Sequence, residues 1–186
     1  MTPAVIVIDM LDDFVTGALA NPRSQRIIPA IDALLASARE RGWPVVYAND
    51  AHLPGDFEER VWGPHALAGS PGARVIRELA PHEGDIELPK RFYSSFYETG
   101  LDAYLRQNDV DAVILVGQHT NICVRHTAAD ALYRGYRIIV PPDGVEAFSQ
   151  DDHESGLAYL DMAYKAELTP IAELIAPVAA GRDGGP

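Results

Sequence analysis

Short runs of apolar, mostly β-branched residues alternate along this chain with longer segments of helical periodicity. The run at residues 4–8 is apolar at every position, which is typical of a central parallel strand that is buried on both faces. Apolar residues between positions 23 and 41 recur at helical spacing, and Gly42 then provides a stop signal. This alternation favours βαβ units. It predicts an α/β fold, a three-layer α/β/α sandwich with a central, mostly parallel sheet.

The same patterns predict strands and helices along most of the chain. The strands are expected at residues 4–8, 45–47, 86–88, 113–116 and 138–140. The helices are expected at residues 23–41, 74–80, 101–108, 123–134 and 151–165. A last short strand and helix are expected within residues 168–175.

Length and charge limit the classes of protein to which the chain can belong. Its 186 residues suffice for one domain, predicted at residues 1–176, and the Gly-rich end predicts a disordered tail at residues 177–186. A net charge of −12 argues against nucleic acid and anionic membranes as partners, because phosphate groups would be repelled. The apolar stretch near the start is too short to cross a bilayer. A single cysteine cannot form an internal disulfide, and we predict a cytoplasmic protein.

Three chemically distinctive residues follow predicted strands. Asp9 directly follows the first strand, Lys90 follows the third, and Cys123 begins the helix after the fourth. Because ligands bind beyond the carboxyl ends of strands in such a sheet, we expect these side chains at one edge. A lone cysteine is more often a small buried hydrophobe. At the start of a helix, however, its thiol should ionise more readily and act as a nucleophile.

Asp9 and Lys90 can each assist such a nucleophile. Isolated burial of a carboxylate is costly, so Asp9 is either a cap for the following turn or a general base that takes the proton of Cys123. Lys90 is either a solvated surface charge or a fixed cation that stabilises the carboxylate and the thiolate. Alternation along the chain should point Arg91 away from this site.

A second group of residues has the composition of a metal site. Asp50 and His52 stand two apart on an extended segment and project to the same side, and His65 follows in the next loop. Two imidazoles and a carboxylate can hold a divalent cation, with zinc expected first and iron or manganese as alternatives. Glu58 could complete this site or compete for it. The alternative interpretation is a set of unrelated polar loop residues.

Three segments together resemble the isochorismatase-like cysteine hydrolase superfamily, whose amidase members include nicotinamidases and N-carbamoylsarcosine amidase. They are residues 7–14 (VIDMLDDF), 90–96 (KRFYSSF) and 117–131 (GQHTNICVRHTAADA). Their order and spacing agree with this family from about residue 4 to residue 170. The resemblance implies the isochorismatase-like hydrolase fold.

The resemblance also implies particular catalytic roles. It implies an Asp–Lys–Cys triad, carried here by Asp9, Lys90 and Cys123. It implies a cis peptide bond between Gln118 and His119, and an oxyanion hole formed by the backbone N–H groups of His119 and Cys123. His119 departs from the commoner family pattern, in which a small apolar residue often stands at this position.

The same resemblance bears on the metal ligands and on the oligomeric state, and residues beside its motifs are expected to line the substrate pocket. Nicotinamidases carry an Asp-x-His pair and a later His as metal ligands, which favours an amidase here. We expect Phe14, Trp62, Tyr93 and His119 to wall a small pocket that admits a compact amide but no peptide or polymer. Relatives commonly form dimers or tetramers, so a homo-oligomer is expected.

These observations predict a cysteine-dependent amidohydrolase. It would convert a small amide, such as a nicotinamide-type carboxamide or a carbamoyl compound, into an acid and ammonia through a thioester. The nearest alternative is an isochorismatase-type hydrolase that acts on a vinyl ether. A non-catalytic binding protein on the same fold is a second alternative, against which the presence of all three triad residues argues. A thiol redox sensor is a third, although the chain has no second cysteine to resolve an oxidised thiol.

Overall fold

The computed structural model describes residues 2–177 of the chain. The predicted tail at residues 177–186 lies outside this range apart from Pro177. Within the described range, no helix combines the length and the apolar character that a bilayer crossing requires.

Parallel strands form a central sheet within the described residues. They are β1 (Pro3–Ile8), β2 (Val45–Asp50), β3 (Ile86–Lys90), β4 (Ala112–Gln118), β5 (Arg137–Ile139) and β6 (Val145–Glu146). Five of them lie in the order β3-β2-β1-β4-β5, and β6 pairs with the carboxyl end of β4. Every pairing is parallel, as the alternation of strands and helices predicts.

Helices cover both faces of this sheet. They are α1 (Asp12–Val15), α2 (Ile28–Glu40), α3 (Glu59–Trp62), α4 (Leu101–Gln107), α5 (Arg125–Tyr133), α6 (Gln150–Tyr164) and α7 (Ile171–Leu174). Successive side chains of β1 point to opposite faces. Ile6 and Ile8 pack in one core with α4, α5 and α6, whereas Val5 and Val7 pack in a second core with α2 and α7. The predicted three-layer α/β/α sandwich is therefore confirmed.

The helix predicted at residues 74–80 is wrong. Two short 3-10 turns, Pro71–Ala73 and Arg77–Leu79, take its place. Between them, Val75 forms an antiparallel bridge with Leu11. This long-range pairing keeps the backbone extended, and helical periodicity along the chain does not report it.

Two other predicted helices begin differently in the structure. The helix predicted at residues 23–41 divides into a 3-10 turn, Pro22–Arg26, followed by α2. The helix predicted at residues 123–134 is preceded by one π-helical turn, Thr120–Val124, and α5 starts only after it. Cys123 therefore lies inside a π turn and does not begin an α-helix.

Very short elements have no hydrophobic period, and the sequence patterns miss them. The two residues of β6 pair with Gly117 and Gln118 at the end of β4. The strand expected within residues 168–175 is a single bridge between Glu167 and Ile139, and α7 follows it. Because β6 lies beside the end of β4, it borders the edge of the sheet where the site lies.

Candidate active site

The candidate site lies where the order of the strands reverses. In the sheet, β2 and then β3 lie on one side of β1, whereas β4 and then β5 lie on the other side. A crevice opens at such a point beyond the carboxyl ends of the strands. Ile8 pairs there with Gly117, whose φ is +106° and where a Cβ would overlap the carbonyl oxygen of Ile8. Only glycine fits this close approach. One residue further on, the peptide bond between Gln118 and His119 is cis, as the family resemblance implies.

Hydrogen bonds from both neighbouring strands hold Asp9 in place. Its φ of +54° is uncommon for a residue with a side chain. Its N–H donates to Oδ1 of Asn49 at 2.9 Å, and its own Oδ1 accepts from the N–H of Asp50 at 2.8 Å. The side-chain amide of Gln118 donates to the Asp9 carbonyl oxygen at 3.2 Å. The surrounding strands therefore fix a conformation that Asp9 would not adopt alone.

Lys90 is buried between two carboxylates. Its Nζ donates to Oδ2 of Asp9 at 2.9 Å and to Oδ1 of Asp50 at 2.5 Å. Burial alone would lower the pKa of Lys90, but the charges of Asp50 and Asp9 outweigh burial and raise this pKa well above its ordinary value. The amine is therefore a permanent cation. Arg91 points away and binds Asp56, in line with the predicted alternation.

The two carboxylates beside Lys90 differ in acidity. Burial and the charge of Asp50 raise the pKa of Asp9 to about 6, although Lys90 opposes this shift. Burial would also raise the pKa of Asp50, but Lys90 and His52 outweigh it and hold this pKa below its ordinary value. A general base works best when its pKa lies near the operating pH. Asp9 therefore has the acidity of a base, and Asp50 that of a fixed negative charge.

Cys123 lies beside both carboxylates. Its Sγ is within 4.8 Å of a carboxylate oxygen of Asp9 and of Asp50. Burial raises the pKa of the thiol well above its ordinary value, although Lys90 opposes the shift. The expectation that this thiol ionises readily is therefore wrong, because its burial outweighs the nearby cation. The resting thiol is protonated and needs a base to become a nucleophile.

A cluster of four buried side chains adjoins these residues. Asp50, His52, Glu58 and His65 each offer one ligand atom, and these atoms all lie within 4.8 Å of one another. Nε2 of His52 is 3.5 Å from Oδ2 of Asp50 and 3.8 Å from Oε2 of Glu58. Such spacing suits ligands around one shared centre. The structure thus brings the three predicted ligands together and adds Glu58 to them.

Hydrogen bonding and charge in this cluster fit a cation. Both ring nitrogens of His52 are buried, and neither has a hydrogen-bond partner among the described residues, although Nδ1 lies 3.5 Å from Oδ2 of Asp56. A buried polar group without a hydrogen bond is costly in a folded protein. Nδ1 of His65 bonds the carbonyl oxygen of Gly63 at 2.8 Å, so Nδ1 carries the proton and Nε2 keeps a free lone pair. Burial and the charge of Asp50 raise the pKa of Glu58 to about 7. Two imidazoles and two carboxylates could hold zinc, iron or manganese.

A small pocket opens over the two groups. The empty space in it, including the part that is open to solvent, is about 260 Å³. The lining residues are Phe14, Leu19, Asp50, Glu58, Trp62, His65, Tyr93, His119, Ile122, Cys123 and Phe148. The four residues predicted to wall a pocket are all among them. Nε1 of Trp62 donates a hydrogen bond to the hydroxyl of Tyr93 at 3.0 Å, so two of the lining side chains hold each other in place.

Sequence reasoning missed several side chains at the site, among them three that hold or pack against its predicted residues. Asn49 and Gln118 hold Asp9, and Phe148 stacks on the ring of His119 with centroids 3.9 Å apart. Asn49 and Gln118 are polar residues at the ends of apolar strands, a signal that could have marked them. Phe148 lies in a loop after β6 and carries no such signal, because only the fold brings it to the pocket.

Sequence comparison identifies the family of this chain. A family model of the isochorismatase domain matches residues 3–173, which include the whole sheet and both helical layers. The chain belongs to the isochorismatase family. Maleamate amidohydrolase of Pseudomonas putida is 34% identical to this isochorismatase-family chain over 171 residues, which cover 87% of the chain and 80% of that enzyme.

Solved structures of amidases share the fold of this isochorismatase-family protein. N-carbamoylsarcosine amidase from Thermoplasma acidophilum is 42% identical and superimposes with a TM-score of 0.88, over 97% of this chain and 100% of its own. Pyrazinamidase of Pyrococcus horikoshii, solved in complex with zinc, is 30% identical with a TM-score of 0.83, over 91% of this chain and 99% of its own. The chain is therefore related to hydrolases that act on amides.

Proposed function

We propose that this protein is a cysteine-dependent amidohydrolase that cleaves a small amide into an acid and ammonia. The convergence of Asp9, Lys90 and Cys123 at one small pocket carries this proposal. The amine of Lys90 bonds Asp9 at 2.9 Å, and the thiol lies within 4.8 Å of the same carboxylate. A nucleophile, a base and a fixed cation together are the groups that acyl transfer from an amide requires.

The reaction divides into two steps through a thioester. As Sγ of Cys123 attacks the amide carbonyl carbon, Asp9 takes the thiol proton and then gives it to the departing nitrogen, so that ammonia leaves. Water next attacks the thioester while Asp9 takes one of its protons. That proton returns to the sulfur as the C–S bond breaks, and the acid is released.

The developing charges have partners in the site. Lys90 stabilises the thiolate while Asp9 holds the transferred proton. The backbone N–H groups of His119 and Cys123 stabilise the oxyanion of the tetrahedral intermediate. This assignment is proposed from the family resemblance.

We also propose that Asp50, His52, Glu58 and His65 hold a divalent cation, with zinc first and iron or manganese as alternatives. When bound, the ion would supply positive charge that can polarise or orient a polar group of the substrate. Nε2 of His52, which faces Asp50 and Glu58 and has no hydrogen-bond partner among residues 2–177, supports this proposal, as does the zinc in the structure of the related pyrazinamidase.

The proposed substrate is compact, and the proposed assembly is a homo-oligomer. A pocket that is bounded by aromatic side chains, among them Phe14, Trp62 and Tyr93, suits a ring carboxamide or a carbamoyl compound better than a peptide amide. The assembly is proposed from the family resemblance. Light scattering on the purified protein tests it, and a monomer at all concentrations would contradict it.

Ammonia release tests the proposed function directly. The purified protein is assayed with nicotinamide, maleamate, N-carbamoylsarcosine and a dipeptide amide, each with added zinc, manganese, iron or none. We expect ammonia from at least one compact amide, none from the dipeptide amide, and none in any assay of the Cys123→Ala variant. Ammonia from no compact amide under any condition would refute the proposal. So would undiminished release by Cys123→Ala.

A further inference from the structure

The imidazole of His119 lines the pocket and is held in place by other rings. It stacks on Phe148 with ring centroids 3.9 Å apart and planes inclined by 24°. Phe14 meets it edge-on with centroids 5.9 Å apart. The residue is only 3% exposed. Packing against two rings fixes the orientation of the imidazole before any ligand binds.

One ring nitrogen of His119 lacks a partner. Nε2 is buried, and no described residue forms a hydrogen bond with it. Buried polar groups in folded proteins are nearly always hydrogen-bonded, so an exception needs an explanation. His119 lines the same pocket as Cys123, and a molecule bound there could complete the missing hydrogen bond.

The pocket offers no unpaired positive charge. Burial lowers the pKa of His119 to about 4, so its ring is neutral near pH 7. No arginine or lysine of the described chain lines the pocket, and Lys90 nearby is paired with Asp9 and Asp50. Together, the negative charges of Asp9, Asp50 and Glu58 would balance Lys90 and a divalent cation in the cluster. An anionic substrate would therefore find no net attraction in this site.

We infer that His119 determines substrate specificity, because its Nε2 forms a hydrogen bond with an uncharged polar group of a neutral amide. The inference rests on the proposed amidohydrolase function and narrows its substrate class. A ring nitrogen, a hydroxyl or a second carboxamide can partner a neutral imidazole, which has one donor and one acceptor. An amide that carries a carboxylate is disfavoured.

Equilibrium binding to the Cys123→Ala variant tests the hydrogen bond without turnover. The probes are benzamide and the three pyridinecarboxamides, which differ from benzamide only by one ring nitrogen. The comparison is with a double variant that carries His119→Phe as well as Cys123→Ala. The phenylalanine keeps a ring that can stack on Phe148 but lacks Nε2. We expect binding of the tightest pyridinecarboxamide to weaken by about 10- to 100-fold. Binding of benzamide should change by less than about 3-fold, because benzamide offers only its carboxamide.

Two further variants separate hydrogen bonding from packing. His119→Gln keeps a polar side chain and should retain part of the preference for the ring nitrogen. His82→Phe makes the same substitution at an exposed position outside the pocket and should change nothing. Equal losses for benzamide and the pyridinecarboxamides in His119→Phe would show a packing role alone and overturn the inference.

The charge preference is tested with maleamide and maleamate, in which a second carboxamide replaces a carboxylate. Calorimetry on the Cys123→Ala variant should show maleamide binding at least about 10-fold more tightly. Tighter binding of maleamate, or binding of none of the probes, would overturn the inference. Ammonia release by the unmodified protein tests the proposed function separately. Selective binding without ammonia would refute only that function, and ammonia without His119-dependent selectivity would refute only the inference.

Discussion

Two groups of buried polar residues share Asp50, and they differ in how their charges and hydrogen bonds are satisfied. The first group also contains Asp9, Lys90 and Cys123, and the second also contains His52, Glu58 and His65. In the first group, Lys90 donates to Asp9 at 2.9 Å and to Asp50 at 2.5 Å, so every charge has a partner within the chain. In the second group, neither ring nitrogen of His52 forms a hydrogen bond with a described residue, although carboxylates of Asp50 and Glu58 lie within 4 Å of the ring. The first group is complete as folded, whereas the proposed cation would complete the second.

The two groups also differ in what holds them. Asp9 and Lys90 lie at the ends of β1 and β3, where the sheet fixes the backbone. His52, Glu58 and His65 lie in the loop between β2 and β3. Elements of a rigid sheet hold side chains more precisely than loops do. We therefore expect substitutions in the first group to affect the chemical step most, and those in the second to affect cation binding first.

The largest expected effect comes from the nucleophile in the first group. Cys123→Ala should lower amide hydrolysis by at least about 1,000-fold, because no other described side chain can form the thioester. The fold should persist, and thermal unfolding followed by circular dichroism checks that it does. Residual turnover within about 10-fold of the unmodified protein would remove the triad from the mechanism.

Asp9→Asn should lower kcat by about 100- to 10,000-fold, because an amide cannot take the thiol proton. Lys90 keeps Asp50 as a partner in this variant, so the protein should stay folded.

Lys90→Met instead leaves two buried carboxylates without a partner and should cost about 3–5 kcal/mol of unfolding free energy, measured in urea.

A double Asp9→Asn, Cys123→Ala variant should be no slower than Cys123→Ala alone. Multiplied losses would show that the two residues act at separate sites.

The second group should respond to the cation. Protein purified without chelator should contain roughly one divalent ion per chain by elemental analysis, and His52→Ala should lose most of it. His82→Ala, a matched change at an exposed histidine, should keep it. Because the first group is complete without the ion, chelation should lower Tm but leave the protein folded. Full metal content in His52→Ala would contradict the assigned ligands.

The smallest expected effect is a dependence on pH. Asp9 must be ionised to take the thiol proton, and its pKa is raised to about 6. Values of kcat/KM should therefore fall about 10-fold per pH unit well below pH 6 and level off above it. The residual activity of Asp9→Asn should lack this limb. A flat profile between pH 5 and pH 8 in the unmodified protein would show that another group is the base.

The sequence predicts the fold well because its evidence is local. The unbroken apolar run of β1 supplies both cores, with Ile6 on one face and Val7 on the other. The failures occur where distant segments meet. The helix expected at residues 74–80 is absent because Val75 pairs with Leu11, more than sixty positions earlier in the chain. Helical spacing describes neighbours within a few turns and cannot anticipate such a pairing.

The sequence by itself determined the parallel sheet, the family, and the positions of Asp9, Lys90 and Cys123 near the ends of the first, third and fourth strands. Only the tertiary structure decided that Asp50 shares Lys90 with Asp9, that Glu58 joins the imidazoles, and that the Cys123 thiol is protonated at rest. The reason is physical. Strand position follows from local hydrophobic pattern, whereas a pKa or a ligand cluster depends on burial and on distances between side chains far apart in the chain.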